Sequence, residues 1–455
     1  MKRLRGLVAG VLALLPMLPS LGEVATPSVG RSVEKLGNGL TVVTIPRDQL
    51  PLTTFALFLG RGSAGDPAAH PGLAEFALSL AWMGHGSLDE HDVLRAIGEV
   101  GGDLHTSVAT EYSTVSLSSF ASKAPEALDL MIGALTKSTY EREVIARELK
   151  NREADIAWEK DDPGSLARDA FVRAVLGEHP YGRAMRRGKP EDLAGIGRDE
   201  LSSAVAALLR PEEAVLFIVG PKDERLLEQV RAKFGAWSAS PDATPAIEDP
   251  VYRKPLSFEK VERPEMDQIR LQFGAMGPAA GVSDRAAHLV FAQMMASGFT
   301  SVLTDELRVN RGLVYGISFE QAWLDHPSPF SLATSTRAEK AEEVLQVCFD
   351  KLREVRAGKV DDERLTAARN TLQVGIAEAT ATGFGLAEAE YLGYRRSGDF
   401  DAWRKLLEEI RGVSAESVVA AAQHYDPAGF KVILVGEKPK IEAFDAAGLE
   451  KSLRR

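Results

Sequence analysis

The sequence predicts an α+β protein of two homologous domains, each a mostly antiparallel β-sheet backed by long helices. Three observations predict it. Apolar, strand-like runs alternate with long charged helical stretches, the second half repeats the order of the first, and a Pro-rich segment without period separates the halves.

With 455 residues, 45% of them hydrophobic, the chain can bury a large core. At roughly 100 to 200 residues per domain it has room for two or three domains. Its first residues read as an export signal, residues 1–22: MKRLR is a basic n-region, GLVAGVLALLPML an apolar h-region, and Ser20-Leu21-Gly22 a small-x-small cleavage site. The mature protein is expected to begin near Glu23, in the periplasm and without a lipid, since no Cys follows the h-region. That apolar run is too short to span a bilayer, and no later segment reaches the roughly 18 to 20 continuous apolar residues of a membrane helix.

The first domain is placed at residues 30–238. There LTVVTI and TTFALFLG read as strands, and GLAEFALSLA, residues 72–81, as an amphipathic helix. Leu73, Phe76, Ala77 and Leu80 fall at i, i+3, i+4 and i+7, one buried stripe, which puts Glu75, Leu78 and Ser79 together on the opposite side. The strand EYSTVSLSSF and helix KAPEALDLMIGAL then lead to a charged helix, EREVIARELKNREADIAWEK. A Pro turn and apolar strand, LLRPEEAVLFIVG, follow. Residues 239–255, rich in Pro, Ala and Asp, read as an exposed linker. The second domain, residues 256–452, opens with the strands DQIRLQFGA and GLVYGISFEQ. It then repeats the plan with FSLATST, EKAEEVLQVCFDKLREV, DDERLTAARNTLQVGIAEA and HYDPAGFKVILVG.

A formal charge of −11 argues against nucleic acid as a partner, because phosphate contacts require clustered Lys and Arg. Cys348 is the single cysteine, which excludes an intramolecular disulfide and a multi-Cys metal site. In its helix it reads as a small buried apolar residue.

The order GNGLTVVTIP, GSAGDPAAHPGLAEFALSLAWMG, IGEVGGDLHTSVATEYSTVSLSSF, HPYGR and RPEEAVLFIVG resembles the pitrilysin/insulinase family of zinc peptidases, as does SGFTSVLTDELRVNRGLVYGISF in the second half. The resemblance covers almost the whole mature chain. It implies that the two domains form half of a clam-shell substrate chamber, and that an inverted zinc motif, His-x-x-Glu-His, stands on the first helix with a more distant Glu ligand. Residue by residue, the first His position falls on Glu75, the catalytic Glu position on Leu78 and the second His position on Ser79. The third-ligand position falls on Asp155 and an accessory acidic position on Glu148. Zinc hydrolysis needs about three protein ligands, an open site and a general base. Leu78 cannot be a base. Nor do His85, His91 and His105 restore the set, since none pairs at i, i+4 with another His. His105, where the family usually has Asn, is a conceivable contact to a substrate strand.

The segment LTDELRVNRGLVYG resembles the part of the family that supplies an Arg and a Tyr seven residues apart, here Arg308 and Tyr315. Gly312 is a plausible helix terminator, so Arg308 would end a helix and Tyr315 begin a strand, with both side chains directed into one cavity. The resemblance implies that they hold the substrate backbone and the developing oxyanion. It points to a non-catalytic subunit, inactive alone, that holds no cofactor. Such a chain binds peptide and completes the site of a homologous partner bearing His-x-x-Glu-His and zinc. A structural or assembly scaffold and a stand-alone peptide-binding protein stay open beside it.

Overall fold

The computed structural model describes residues 30–186, 188–238, 246–252, 255–298 and 300–453; the export signal and residues 239–245 of the linker lie outside the described residues. The first sheet is formed by β1 (Ser32–Lys35), β2 (Thr41–Pro46), β3 (Leu52–Leu59), β6 (Asp103–Val108), β7 (Ser113–Phe120) and β8 (Ala214–Gly220). Its order is β1-β2-β8-β3-β7-β6, and β4 (Gly84–His85) and β5 (Leu88–Asp89) make a separate small ladder. The second sheet consists of β9 (Ser257–Glu262), β10 (Gln268–Met276), β11 (Val314–Gln321), β12 (Pro329–Arg337) and β13 (Lys431–Gly436), in the order β11-β12-β10-β13-β9. Read from the other edge, this is the first sheet without β1. Each sheet has one parallel pair at the same place, β2 with β8 and β9 with β13, and is otherwise antiparallel. The internal repeat therefore extends to strand register and direction.

The helices of the first half are α1 (Leu73–Leu80), α2 (Glu90–Glu99), α3 (Ala124–Thr136), α4 (Arg142–Glu159), α5 (Pro163–Leu176), α6 (Pro180–Met185), α7 (Arg198–Leu208) and α8 (Glu224–Gly235). The second half contributes α9 (Arg285–Ala296), α10 (Val302–Thr304), α11 (Ala341–Arg356), α12 (Asp362–Ala379), α13 (Gly383–Ser397), α14 (Ala402–Gly412) and α15 (Ala415–Ala422). Cys348 is fully buried on α11, and burial pushes its thiol pKa up. Among the described residues no helix is long and apolar enough to cross a membrane.

Strands β2, β3 and β8 are apolar at nearly every position because both faces of their sheet are covered. Alternate residues Val42, Phe55, Leu57, Leu216 and Ile218 pack under α1, α3 and α7. Those between them, including Val43, Ala56, Phe58 and Phe217, pack under Leu386, Tyr391 and Trp403 of α13 and α14. These covering helices come from the other half of the chain. The exchange is reciprocal: α5, from the first half, sets Ala170 and Phe171 against Ile433 and Val435 of β13. Tight turns make both crossings. Asp162 caps α5 by accepting from the Ser165 N–H at 2.6 Å, and Thr382 caps α13 by accepting from the Gly385 N–H at 3.0 Å. A Cβ on Gly385 would meet the Ala379 carbonyl oxygen at 1.8 Å, so only glycine fits that turn. Burying this much apolar surface between the halves makes them one folded unit.

The seam also carries a buried acid. Glu390 of α13 has no exposed side-chain surface and lies 3.2 Å from Arg31 Nε. Burial pushes its pKa from 4.5 to about 7, although Arg31 and Arg404 pull the other way. A carboxyl whose folded pKa is raised contributes stability that is fully present below pH 4.5 and is lost as pH rises through 7. Glu390→Gln should flatten that part of the profile, by an amount on the order of 1–3 kcal/mol. Thermal unfolding of both proteins from pH 4 to 8 checks this. Parallel curves would show that Glu390 stays ionised on folding.

Candidate functional site

Gly72, at φ 85°, turns the chain into α1. Asp66 caps the turn: Gly72 N–H donates to Oδ2 at 2.8 Å and Ala74 N–H to Oδ1 at 3.0 Å. Burial pushes the Asp66 pKa up to about 6 in spite of these bonds. The helix packs against α7 and β6, and the Tyr140 hydroxyl donates to the Ala77 carbonyl at 3.1 Å. Covered on two sides, α1 buries Leu73, Ala74, Ala77, Leu78 and Leu80, while Phe76 is only half-buried. This corrects the single-stripe expectation. Leu78 is 1% exposed and belongs to the core, not to an open face with Glu75 and Ser79.

The positions expected around the zinc motif lie on two helices, α1 and α4, which one ion pair joins. Glu75 is exposed on α1, and its Oε2 lies 3.3 Å from Nη2 of Arg152 on α4. Ser79 donates its hydroxyl to the Phe76 carbonyl at 2.8 Å. Asp155 is exposed one turn beyond Arg152. Glu148 accepts from Arg147 Nε at 2.7 Å and Asn151 Nδ2 at 3.2 Å. A zinc ion does not fit this set. On α1 the donors are a carboxylate facing a guanidinium and a hydroxyl turned to the backbone, Leu78 offers no ligand atom, and the nearby Arg152 would repel a divalent cation. Arg152 went unrecognised in the sequence, where it is one of several charges on α4. Its sign, opposite to that of Glu75, was the available signal.

His85, His91 and His105 stand on three different elements. His85 is buried in β4, where burial lowers its pKa, and His91 lies in the first turn of α2. His105 is exposed on the edge strand β6, its ring 5.1 Å from that of Phe384. Among the described residues, one group of three side chains has the placement of metal ligands: Asp284, His288 and His424. Sequence spacing missed it because the two histidines come from distant elements.

Arg308 and Tyr315 do lie side by side. Residues Asp305–Asn310 form a π-helical turn that Gly312, at φ 61°, terminates, and the Leu313 N–H closes it on the Leu307 carbonyl at 2.8 Å. Strand β11 then begins, and its pairing with β12 shifts between Val314 and Ile317, so Tyr315 sits in a bulge. Thr336 and Thr334 hold the bulge by donating to the Leu313 and Gly316 carbonyls at 2.8 and 2.6 Å. Tyr315 is 87% exposed, and the Arg308 guanidinium carbon lies 4.9 Å from its ring centroid. Stacking aligns the two groups, at a gain of about 0.5–1 kcal/mol for an exposed pair. A guanidinium and a phenol held together at the surface are suited to an oxygen that carries or gains negative charge.

Comparison with known proteins gives the family and agrees with the fold. Residues 41–188 match the insulinase family, peptidase family M16, and residues 195–372 match the peptidase M16 inactive domain, together well over half of the chain. An uncharacterized zinc protease of Mycobacterium tuberculosis is 25% identical over 399 residues, covering 86% of this chain and 89% of the relative. A Streptomyces coelicolor protein of the same description is 25% identical over 412 residues, 88% of each chain. The crystal structure of a peptidase M16 inactive domain from Pseudomonas fluorescens superposes with a TM-score of 0.82 at 22% identity, over 90% of this chain and 99% of that one. A protease from Helicobacter pylori gives 0.81 at 15% identity over the same shares. With two M16-type matches over most of its length and a fold shared with M16 structures, the chain belongs to the insulinase (M16) peptidase family as a peptidase-like member.

Proposed function

We propose that this chain is the non-catalytic subunit of a periplasmic heterodimeric zinc peptidase, binding peptide and completing the active site of a homologous partner that carries His-x-x-Glu-His and the zinc. The observation that carries this reading is the contrast between the two halves. On α1 Glu75 makes an ion pair with Arg152, whereas Arg308 and Tyr315 form an ordered donor pair where the π-helical turn meets β11. A donor pair without a hydrolytic centre of its own serves a centre on another molecule.

The sheets supply a way to hold the peptide. Strands β6 and β11 are each paired on one side only, so each edge offers backbone donors and acceptors to an extended peptide. Tyr315 lies on the second of these edges. His105 lies on the first, where it is placed to touch a strand added there.

The test is recovery of the tagged full-length chain from its native host. A homologous subunit with an intact motif should accompany it at equal stoichiometry in the exported fraction, with this chain starting near Glu23 by intact mass. Recovery as a lone chain or a homodimer would favour the stand-alone binding protein, and recovery in a complex without peptidase activity the scaffold.

A further inference from the structure

In the second half α9 stands where α1 stands in the first, and its opening turn carries side chains that the peptidase reading leaves unused. Asp284 occupies the N-cap position of α9, where an aspartate ordinarily accepts from the first backbone N–H groups. Its side chain makes no such bond. Instead Oδ1 is turned to His288, one helical turn on, 3.4 Å from Nε2 and without the alignment of a hydrogen bond. His424, just past the end of α15, sets its ring against His288 with centroids 5.0 Å apart. One ligand atom from each of the three lies within 4.8 Å of the others.

The hydrogen bonds behind His288 decide which nitrogen faces this cluster. Fully buried, the imidazole meets the Tyr425 hydroxyl through Nδ1 at 2.8 Å, and that hydroxyl donates to Gln321 Oε1 at 3.0 Å. A hydroxyl has one proton to give. With it directed to Gln321, the Tyr425 oxygen accepts from Nδ1–H, and Nε2 carries the lone pair. That lone pair faces an oxygen of the partly exposed Asp284 carboxylate 3.4 Å away, two acceptors that repel until a proton, a water molecule or a cation joins them. The chain from Gln321 through Tyr425 to His288 is also the kind of support that fixes the tautomer of a metal-ligating imidazole.

We propose that Asp284, His288 and His424 bind a divalent transition-metal cation of the zinc class, through one carboxylate oxygen and two imidazole nitrogens, with water completing the site. His288 is fixed by its surroundings, while the partly exposed Asp284 and the exposed His424 have the freedom to close onto an ion about 2.0–2.2 Å from each ligand atom. The neighbouring cation, Arg285, is turned onto Trp323, its guanidinium carbon 5.2 Å from the ring. Bound metal ties the end of α15 to the start of α9. This site departs from the expectation that the chain holds no cofactor, and it stands independently of the partner reading.

Full-length protein dialysed against chelator should take up one equivalent of Zn²⁺ in a calorimetric titration and unfold at higher temperature with the ion bound. His424→Ala and Asp284→Asn, both at the surface, should each weaken uptake by about tenfold or more and remove the thermal shift. In the loaded protein, ¹⁵N chemical shifts should report His288 protonated at Nδ1 and metal-bound at Nε2. Absence of saturable uptake, or unchanged uptake by the double variant, would overturn the proposal. So would a His288 protonated at Nε2 in the zinc-treated protein, which would mean that the Gln321 amide is reversed and the Tyr425 hydroxyl donates to Nδ1.

Discussion

Replacing Arg308 by Ala, or Tyr315 by Phe, should lower the turnover of the assembled peptidase by roughly 10²- to 10³-fold, the usual effect of removing one oxyanion donor. Assembly should survive. Tyr315 is 87% exposed, so losing its hydroxyl removes no buried contact. Its effect belongs in turnover, whereas Arg308→Ala also gives up the stacking on Tyr315 and should weaken peptide binding as well. Gel filtration of each complex followed by peptide hydrolysis separates assembly from chemistry. Wild-type turnover from an assembled double variant would remove both residues from the active site and leave a scaffold.

Rebuilding the zinc motif on α1 should damage the fold before it restores any chemistry. Leu78→Glu places a carboxyl at a site 1% exposed, in the core under α7, at an expected cost of roughly 3 kcal/mol or more. Glu75→His and Ser79→His replace partly or fully exposed side chains and should be mild. The triple variant should still take up no zinc at α1, because Arg152 remains beside the site; adding Arg152→Ala removes that opposing charge. Thermal unfolding and metal analysis in a His424→Ala, Asp284→Asn background keep the two halves distinct. An unchanged melting temperature for Leu78→Glu, or zinc held at α1 with Arg152 present, would contradict this description of the helix.

The fold was legible because it is written twice. Pro turns before apolar strands and paired charged helices recur in order, and the sheets repeat with them, down to the single parallel pair in each. Periodicity could not reveal that α5 and α13 exchange sheets. It reports that a face is apolar, and both candidate sheets were apolar on both faces. The same limit explains Leu78: a stripe assumes one covering surface, and α1 has two. At the site, the family resemblance singled out Arg308 and Tyr315, and Gly312 marked the turn between them. Arg152 beside Glu75, and His424 beside His288, depend on how separate helices pack, which local spacing does not encode.

The measurement that bears most directly on the central claim is peptide hydrolysis by the purified zinc-bearing partner titrated with this chain. Each protein alone should be nearly inactive, and activity should rise to a plateau at one chain per partner. A partner fully active by itself, or hydrolysis by this chain alone, would contradict the account.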